Sequence, residues 1–376
     1  MFSGLDTPKI SCKRIISPNS FISATYDRAN FTLYSWGCIL LATLIPFIRN
    51  DYWVFRIFEY PRLQKWIFTL VILLLFVGFV ELIAWYEWAF AGVLLANFIY
   101  LSYLIFPFLP IASYEMMPAA PALSDAAFGL MIANVYQYND DKSRLLKLIT
   151  DRKPSLIVLS ETDEAWEEAM QDIYDEYPHR VVKILDNTYG IMLLSRFEIT
   201  ESEVRFLVED NVPSIFALVK LPSGNLFQLY CLHPTPPVPG ENIRSTERDK
   251  EILIVGRLAK KSPLPVVVTG DLNDVAWSYT NQLFQDISGL LDPRKGRGFF
   301  NTFPAQHRFF RYPLDHIFCS DDFRLQEIER LPDIGSDHFP IWVKLVYEPS
   351  DADGQDTPEA DREEEKLADK KINAKT

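Results

Sequence analysis

The second half of the sequence places acidic, amide and imidazole side chains directly next to short apolar runs. These residue types can bind a divalent cation, position a water molecule and transfer a proton. Because each cluster adjoins an apolar run, the pattern predicts that several strands deliver these side chains to one edge of a sheet. That arrangement is typical of a metal-assisted hydrolase. The clusters are Ser160-Glu161, His233, Gly270-Asp271-Leu272-Asn273, Leu314-Asp315-His316 and Ser336-Asp337-His338.

The cluster at residues 270–273 follows an apolar strand-like run and stops it at a glycine. Asp271 and Asn273 stand two residues apart, so a strand presents both side chains on the same side. The acid could deprotonate or orient an attacking water molecule, while the amide hydrogen-bonds that water or a phosphate oxygen. A strand-end turn is the alternative, because glycine, aspartate and asparagine are also the usual turn residues.

Three other strand ends carry single residues of the same kinds. Glu161 follows an apolar run and suits Mg²⁺, which prefers carboxylate oxygens, although an acid is also favourable in the first turn of a helix. Asn134 follows the first strand-like run of this half, where its amide could support that carboxylate or satisfy loop backbone. His233 leads into a proline-rich loop, and a lone histidine is more often structural.

Two acid-histidine dipeptides stand in similar settings near the end of this half. Asp315 and His316 precede one apolar run, and Asp337 and His338 precede another. An aspartate from one strand can fix the tautomer and charge of the histidine from the next, while the second aspartate faces a cation. Because five independent strand ends carry such residues, one shared site explains them better than chance does.

In this order the motifs resemble the endonuclease/exonuclease/phosphatase superfamily, over roughly residues 125 to 347. They are specific to the superfamily and do not distinguish its members. The resemblance implies a deoxyribonuclease I-like four-layer α/β (α+β) sandwich, in which two central sheets are flanked by helices and the site lies at one edge. It rests on Asn134, Ser160-Glu161, Gly190 to Arg196, His233 with its prolines, Gly270 to Asn273, Leu314-Asp315-His316 and Ser336-Asp337-His338.

The resemblance also implies a metal site and a reaction. Glu161, with Asn134 nearby, resembles the Mg²⁺ ligand of the family, and Asp337 resembles a further acid facing the metal; Mn²⁺ is the alternative ion. The implied reaction is in-line attack of water on a phosphodiester or phosphomonoester. A catalytically silent, membrane-tethered module that recognises a phosphorylated partner is the alternative, although such a relative is expected to lose an acid or an imidazole.

The catalytic roles are likewise implied by the resemblance. Asp271 resembles the base or orienter of the attacking water, and Asn273 the residue that holds this water or the phosphate. His338, oriented by Asp315, resembles the imidazole that contacts the scissile phosphate. His233 resembles the second imidazole, which stabilises the phosphate or protonates the leaving group. At least one of the two histidines is expected to be protonated. His316 is predicted to be structural, because an alternating strand points it away from its neighbour.

The loop from Pro293 to Tyr312 interleaves basic residues with phenylalanines, although the whole chain is acidic, with a formal net charge of −13. Such a loop suits the phosphates and bases of a nucleic acid or the headgroups of a phospholipid, and an ordinary solvated loop is the third interpretation. The sequence points to no protein partner. Thr302-Phe303-Pro304 resembles a substrate-side loop of the family. The predicted substrate-binding residues are Arg297, Thr302, Arg308 and Arg311.

Residues 31–110 are almost entirely aliphatic and aromatic, following a leader at residues 1–30. A buried helical core is one interpretation, but a soluble helix shows a polar face, which these stretches lack. Spans of about 20 mostly apolar residues instead predict an integral protein of the bacterial inner membrane, in contact with the lipid bilayer. The three candidate spans are residues 31–48, 66–85 and 89–109.

The orientation of these spans is not decided by the count of flanking basic residues. Four stand in the leader and four stand in or near the first loop. With three spans, an internal leader places the large domain outside, and we interpret the catalytic domain as periplasmic. The eight residues are Lys9, Lys13, Arg14 and Arg28 in the leader, and Arg49, Arg56, Arg62 and Lys65 beyond the first span.

Two further segments and two cysteines complete the predicted organisation. Residues 111–124 contain a Pro/Ala-rich stretch that predicts a spacer lifting the domain off the bilayer. Residues 348–376 contain ten acidic and five basic residues with few large apolar ones, which predicts disorder. Cys231 and Cys319 lie in strand-like runs, either as buried free thiols or as one bridge between neighbouring strands.

Within the predicted domain the apolar pattern gives alternating strands and helices. Strands are predicted at residues 128–136, 155–160, 190–194, 215–221, 226–232, 265–269, 316–319 and 340–346, and helices at 141–150, from 162, at 246–258 and at 278–286.

Overall fold

The computed structural model describes residues 37, 39–80, 82–119, 124–349 and 355–376. The predicted leader and part of the first predicted span, residues 31–36 and 38, lie outside the described residues.

Residues 39–44 form helix α1. The other helices are α2 Trp53–Arg56, α3 Arg62–Phe79, α4 Trp85–Ile105, α5 Ser143–Arg152, α6 Glu164–Met170, α7 Thr246–Lys261, α8 Tyr279–Ser288 and α9 Arg362–Ile372. The strands are β1 Ala127–Asn134, β2 Leu156–Ser160, β3 His179–Lys183, β4 Ile191–Ser195, β5 Ile199–Arg205, β6 Ser214–Lys220, β7 Leu226–Leu232, β8 Val266–Asp271, β9 Asp315–Cys319, β10 Phe323–Arg330 and β11 Ile341–Tyr347.

Two mixed sheets form the centre of the domain. Sheet 1 has the strand order β10-β11-β1-β2-β4-β3, and sheet 2 has the order β5-β6-β7-β8-β9. Each sheet contains one parallel pair, β1 with β2 and β7 with β8, and the other neighbours are antiparallel. A strand that is covered on both faces of its sheet has a nearly continuous apolar sequence. β2 is an example, because all five of its residues are buried.

Three of the four hydrophobic clusters among the described residues define four layers. Side chains of β1, β2, β6 and β7 meet between the two sheets, for example Phe128 and Phe227. The outer face of sheet 1 packs against α5 and α6, and that of sheet 2 packs against α7, α8 and α9. The order helices, sheet, sheet, helices confirms the predicted deoxyribonuclease I-like sandwich.

Helices α3 and α4 form a hairpin that corresponds to the second and third predicted spans, 66–85 and 89–109. By length and composition both are apolar enough to cross a membrane, and 22 % of the apolar window of each is buried in the protein. The boundaries differ from the prediction, because α3 ends at Phe79 and α4 begins at Trp85. Glu87 accounts for this start, since its carboxylate accepts hydrogen bonds from two backbone N–H groups just before the helix, at 2.8 and 2.7 Å.

The described part of the segment predicted as a spacer, residues 111–119, contacts the domain directly, whereas residues 120–123 of that spacer lie outside the described residues. Met116 is fully buried between the two sheets. The N–H of Leu325 on edge strand β10 donates to the carbonyl of Met117 at 3.0 Å, and the N–H of Ala119 donates back at 2.9 Å. Because an edge strand offers unpaired backbone groups, this extended segment satisfies them and continues sheet 1.

A second contact is made by residues 51–61, which we call the docking segment because they precede α3 and lie on the domain. The N–H of Trp53 donates to the carbonyl of Ile243 at 3.0 Å, and the indole N–H of Trp277 donates to the carbonyl of Glu59 at 2.9 Å. The folded unit therefore extends beyond the predicted limits 125–347 and includes both connections to the hairpin.

The C-terminal segment contains a helix, although its composition predicts disorder over residues 348–376. Helix α9 buries Ala368 completely against the outer face of sheet 2 and its helices. Asp361 caps the helix by accepting hydrogen bonds from two N–H groups of the first turn, at 2.7 and 2.9 Å. The composition averages over the whole tail, so it misses the short apolar face on which this helix packs.

Cys231 and Cys319 are buried free thiols. The first lies on β7 and the second on β9, with β8 between them. Since adjacent strands are about 4.8 Å apart, two steps separate these residues by more than the roughly 7 Å that a disulfide tolerates. The alternative of a bridge between neighbouring strands is therefore wrong. Cys12 and Cys38 lie outside the described residues.

Candidate active site

The predicted site residues converge at one edge of the two sheets. Parallel strands β1 and β2 end side by side, with Asn134 opposite Ser160, and Glu161 follows directly. In sheet 2, Asp271 at the end of β8 is paired with Asp315 at the start of β9. Parallel strands end at the same edge, and an antiparallel neighbour begins there, so the topology alone collects these side chains.

Asp271 is the buried centre of the site. Its Oδ1 accepts a hydrogen bond from the N–H of Asn273 at 2.9 Å, and its Oδ2 accepts one from Asn134 Nδ2 at 3.0 Å. The same Oδ2 lies 3.5 Å from Nε2 of His338 and 3.8 Å from Nε2 of His233. One carboxylate oxygen therefore faces both imidazoles.

Asn134 connects the two halves of the site. Its Nδ2 donates to Glu161 at 2.8 Å as well as to Asp271, and its Oδ1 accepts the N–H of Tyr136 at 3.0 Å. Because the amide oxygen is engaged by backbone and the amide nitrogen cannot bind a cation, Asn134 positions two carboxylates. The prediction that groups it with the metal ligands stays a prediction.

The turn after β8 requires left-handed backbone. Asn273 has a φ of 51°, which asparagine tolerates, and its Nδ2 donates to the carbonyl of Pro234 at 3.0 Å. Gly270 has a φ of 136°, and a Cβ at this position would lie 2.0 Å from the carbonyl oxygen of Leu232 on β7. The close approach of β7 and β8 therefore requires glycine here and places Asp271 at the strand end.

Replacing Gly270 by alanine should lower the free energy of unfolding by more than 3 kcal/mol, because clash adds to the roughly 1–3 kcal/mol of left-handed strain. Gly224→Ala is the matched control, since Gly224 has a φ of 87° but no heavy atom within 4 Å of an added Cβ. Thermal unfolding of the full chain in detergent measures both variants. Equal losses would show that the approach to Leu232 has no role.

His338 is held as a cation. Its Nδ1 is hydrogen-bonded to Oδ2 of Asp315 at 2.8 Å, and the ring of Phe303 lies 4.8 Å away between centroids. Burial opposes the charge, but the carboxylates of Asp271, Asp315 and Asp337 outweigh it and raise the pKa of His338 to about 10. At neutral pH this histidine is therefore an imidazolium, oriented by Asp315 as predicted.

His233 differs from His338 in its charge. Burial lowers the pKa of His233 to about 4, with a further lowering from the charge of His338 and only partial opposition from Asp271. Its Nδ1 is buried without a hydrogen-bond partner among the described residues, and the ring of Tyr189 lies 5.3 Å away. The site thus combines one charged and one neutral imidazole, and the neutral ring keeps an unpaired nitrogen.

Glu161 and Asp337 are the two partly exposed carboxylates of the site. Besides the contact with Asn134, Glu161 accepts the N–H of Gln137 at 3.3 Å. Burial and the charge of Asp337 raise the pKa of Glu161 to about 7, against the hydrogen bond from Asn134. Burial and the charge of Asp271 also raise the pKa of Asp337, against His338. Burial and mutual repulsion therefore disfavour the ionised forms of both carboxylates, and a cation at the accessible side of the site would relieve that repulsion.

The residues present fit a divalent cation at this side. No lysine or arginine in the described part of the chain forms an ion pair with any of the four site carboxylates, so His338 alone offsets them. Carboxylate oxygens such as those of Glu161 and Asp337 are the donors that Mg²⁺ prefers. Asp271, Asp315 and His338 also have ligand atoms within 4.8 Å of one another. These three residues are a second group that could hold a cation.

The predicted substrate-binding residues have different positions. Thr302 is fully buried, and its hydroxyl oxygen accepts the N–H groups that begin β9, at 3.3 and 3.4 Å, so it positions Asp315. Arg308 is exposed, and Arg311 donates to the carbonyl of Ala305 at 2.6 Å. Both stay candidates for substrate contact.

Arg297 is not free to bind substrate, contrary to the sequence prediction. Its guanidinium donates to the carbonyls of Met116 and Pro293 at 2.7 and 3.1 Å and lies 4.1 Å from the ring centroid of Tyr114. It therefore fixes the segment that follows the hairpin. His316 is structural, as predicted, with its ring nitrogens 2.8 Å from Arg294 and from the carbonyl of Asp274.

Three residues of the site had no assigned role in the sequence. Ser336 donates to the carbonyl of Asn134 at 2.8 Å and accepts the N–H of His338 at 3.0 Å, so it joins the two strand ends. Tyr189 and Phe303 pack beside the two imidazoles. The only sequence signal for them is that Ser336 and Phe303 lie within recognised motifs and that Tyr189 directly precedes the Gly190 to Arg196 motif.

A family model described as Endonuclease/Exonuclease/phosphatase family matches residues 131–338, more than half of the chain. The chain belongs to this family. The match spans every predicted catalytic residue, from the strand that ends at Asn134 to His338. No curated protein matches the sequence.

Solved structures of family members are similar to this chain at low identity. D. rerio TDP2 complexed with single strand DNA product has 18% identity and a TM-score of 0.49, over 59% of this chain and 99% of that one. The human Nocturnin catalytic domain with bound sulfate anion has 17% identity and a TM-score of 0.48, over 59% and 94%. A family protein from Bacteroides thetaiotaomicron has 18% identity and a TM-score of 0.48, over 59% and 95%.

Proposed function

We propose that this protein is a divalent-metal-dependent phosphoesterase that hydrolyses a phosphodiester or a phosphomonoester by attack of water. The observation that carries the proposal is the pair of unlike imidazoles facing Asp271. His338 offers a fixed positive charge, while His233 offers a neutral ring with an unpaired nitrogen. A preorganised charge beside a neutral proton acceptor suits the developing charges of phosphoryl transfer.

The contacts support a role for each side chain in this reaction. Asp271, held by two hydrogen bonds, orients or deprotonates the attacking water. His338, oriented by Asp315, stabilises negative charge on the phosphate oxygens, and Nε2 of His233, which faces Asp271, hydrogen-bonds the phosphate. A divalent ion held by Glu161 and Asp337 would neutralise charge on the phosphate when bound. We propose Mg²⁺, with Mn²⁺ as an alternative.

Chelation by EDTA should abolish hydrolysis of bis(p-nitrophenyl) phosphate by the full chain in detergent, and added Mg²⁺ should restore it. Glu161→Gln should raise the Mg²⁺ concentration for half-maximal activity by at least about tenfold, because it removes a charged ligand. Glu168→Gln is the matched control, since Glu168 is an exposed acid on α6. Activity that persists in EDTA would contradict the metal requirement.

The alternative of a catalytically silent binding module has less support. All the acids and imidazoles implied by the resemblance are present, and hydrogen bonds join Asn134 to Glu161 and Asp271. Complete absence of hydrolysis across phosphodiesters and phosphomonoesters in Mg²⁺ and Mn²⁺ would favour the silent module.

We also propose that α3 and α4 anchor the domain in the bacterial inner membrane. Most of their surface is exposed and apolar, whereas a core helix of a soluble protein is mostly buried. Arg56 and Lys65, counted in the first loop, are engaged by Asp249 and by backbone carbonyls. In the count of flanking basic residues, those of the leader therefore weigh more than those beyond the first span. This favours an internal leader and a periplasmic domain. Protease digestion of the domain in spheroplasts, but not in intact cells, is the expected result.

A further inference from the structure

A loop beside the site, residues 304–311, carries two phenylalanines on its surface, and we call it the aromatic loop. Phe309 and Phe310 have 81% and 53% of their surface exposed. A bridge between Phe303 and Tyr312 closes the loop at its base. Two large apolar side chains at the tip of a closed loop are costly in water, so a partner that covers them is expected.

The base of the aromatic loop belongs to the rim of the active site. The N–H of Ala305 donates to the carbonyl of Asp337 at 2.7 Å, and the ring of Phe303 packs against that of His338. Whatever covers the loop tip therefore lies beside the proposed metal and phosphate positions.

The tip of the same loop contacts the start of the membrane hairpin. Gln64, in the first turn of α3, donates to the carbonyl of Phe309 at 3.0 Å. Ile67 and Phe68 follow one turn further along and are 47% and 54% exposed. Since a helix rises about 1.5 Å per residue, the exposed apolar surface of α3 begins about 5 Å from this contact. The loop tip and the start of the span thus lie at the same level.

Charge favours a bilayer over a nucleic acid as the partner. Three of the basic residues in the described loop are engaged within the protein, so they do not contribute to the basic surface that nucleic acids require. Arg308 at the loop tip stays exposed and can meet an anionic headgroup. The engaged residues are Arg294 with Asp292, Lys295 with Glu115, and Arg297 with the carbonyl of Met116.

We infer that the aromatic loop lies in the interface of the bilayer that α3 enters, and that the site takes its phosphate ester from the headgroup of a lipid in that bilayer. Phenylalanines at the boundary between headgroups and acyl chains bury apolar surface, and the loop base then brings the headgroup to His338 and Glu161. The substrate class rests on the proposed phosphoesterase function, whereas the position of the loop does not.

The position of the loop is tested without activity. The full chain with Phe309→Trp is placed in phosphatidylcholine/phosphatidylglycerol nanodiscs, and its fluorescence is compared with that of the parent, which has eight tryptophans. Lipids brominated near the headgroup should quench the added tryptophan. Phe206→Trp, at a partly exposed phenylalanine beyond the end of β5, should add unquenched fluorescence. An unquenched Phe309→Trp signal would overturn the inference.

The substrate class is tested with the double variant Phe309→Ser/Phe310→Ser. It should hydrolyse soluble bis(p-nitrophenyl) phosphate like the parent. With phosphatidylglycerol or phosphatidic acid in nanodiscs, its activity should fall about tenfold or more for each lost phenylalanine. Phe206→Ser should leave both activities unchanged. If the parent cleaves the soluble diester and single-stranded DNA but neither lipid, the lipid substrate is wrong and the phosphoesterase function stands. If it cleaves none of them, the function itself fails, and the quenching experiment still decides the position of the loop.

Discussion

Asp271→Asn should lower kcat for bis(p-nitrophenyl) phosphate by about 10³-fold in the full chain, within the range that general acid-base catalysis contributes. The neutral amide cannot accept a proton from water. The change also removes one of the carboxylates that hold the charge of His338, so the pKa of that histidine should fall from about 10. Steady-state kinetics and an NMR titration of the histidine ring measure the two effects separately.

Asp172→Asn is the matched control for this prediction, because Asp172 is exposed on the helical layer outside sheet 1. It should leave kcat and the titration of His338 unchanged. Circular dichroism of Asp271→Asn should match that of the parent, since the two side chains are nearly isosteric. A folded Asp271→Asn protein with parental turnover would remove Asp271 from the mechanism.

The strands that the sequence predicted are those whose residues are buried. β2, β4 and β9 are buried at every position and read as apolar runs. The three missed strands, β3, β5 and β10, are edge strands of the two sheets. They carry charged residues and have few buried positions, as in β5, Ile199–Arg205. β9 is also an edge strand, but the sequence predicted it because all of its residues are buried and apolar residues therefore dominate it. Leu291 pairs with Cys319 at the end of this strand. Whether the sequence predicted a strand therefore depended on the burial of its residues and not on its position in the sheet.

The sequence identified the site residues but not their charges or contacts. Residue types at strand ends were sufficient to find Asp271, Asp315 and His338, because the topology brings strand ends together. The charge difference between the two histidines depends on burial and on three carboxylates from separate strands, which no local pattern encodes. Arg297 was misassigned for a related reason, since two of its three partners, Met116 and Tyr114, lie about 180 residues away in the chain.

The segments on either side of the hairpin contact parts of the domain that are far away in the chain. The sequence therefore did not predict these contacts. Tyr60 in the docking segment donates to the carbonyl of Asn273 at 3.1 Å, and Arg248 on α7 donates to the same oxygen at 2.7 Å. The turn that follows Asp271 is therefore supported by the docking segment as well as by α7. This arrangement explains why the docking segment retains buried charged residues in an otherwise apolar part of the chain.

Asp249 on α7 is the charged centre of this support. Its carboxylate binds Arg56 of the docking segment at 3.1 Å, Arg248 at 2.9 Å and Lys371 of α9 at 2.8 Å. Burial opposes the negative charge, but these three cations outweigh it and hold the pKa of Asp249 well below its usual range. One buried acid thus joins the docking segment, the domain and the C-terminal helix.

Asp249→Asn should lower the free energy of unfolding by about 3–5 kcal/mol, because it leaves two buried arginines and the partly buried Lys371 without their shared partner. Since the pKa of Asp249 is lowered by folding, its contribution is fully present above the unfolded value of about 4 and is lost as the pH falls towards the lower folded value. The stability of the variant should therefore depend less on pH in this acid range. Thermal unfolding in detergent between pH 3 and 7 measures both effects.

Glu363→Gln is the control, since its exposed pair with Lys366 contributes about 0–1 kcal/mol. Equal stability of Asp249→Asn and the parent would show that the docking segment and α9 are held by other contacts.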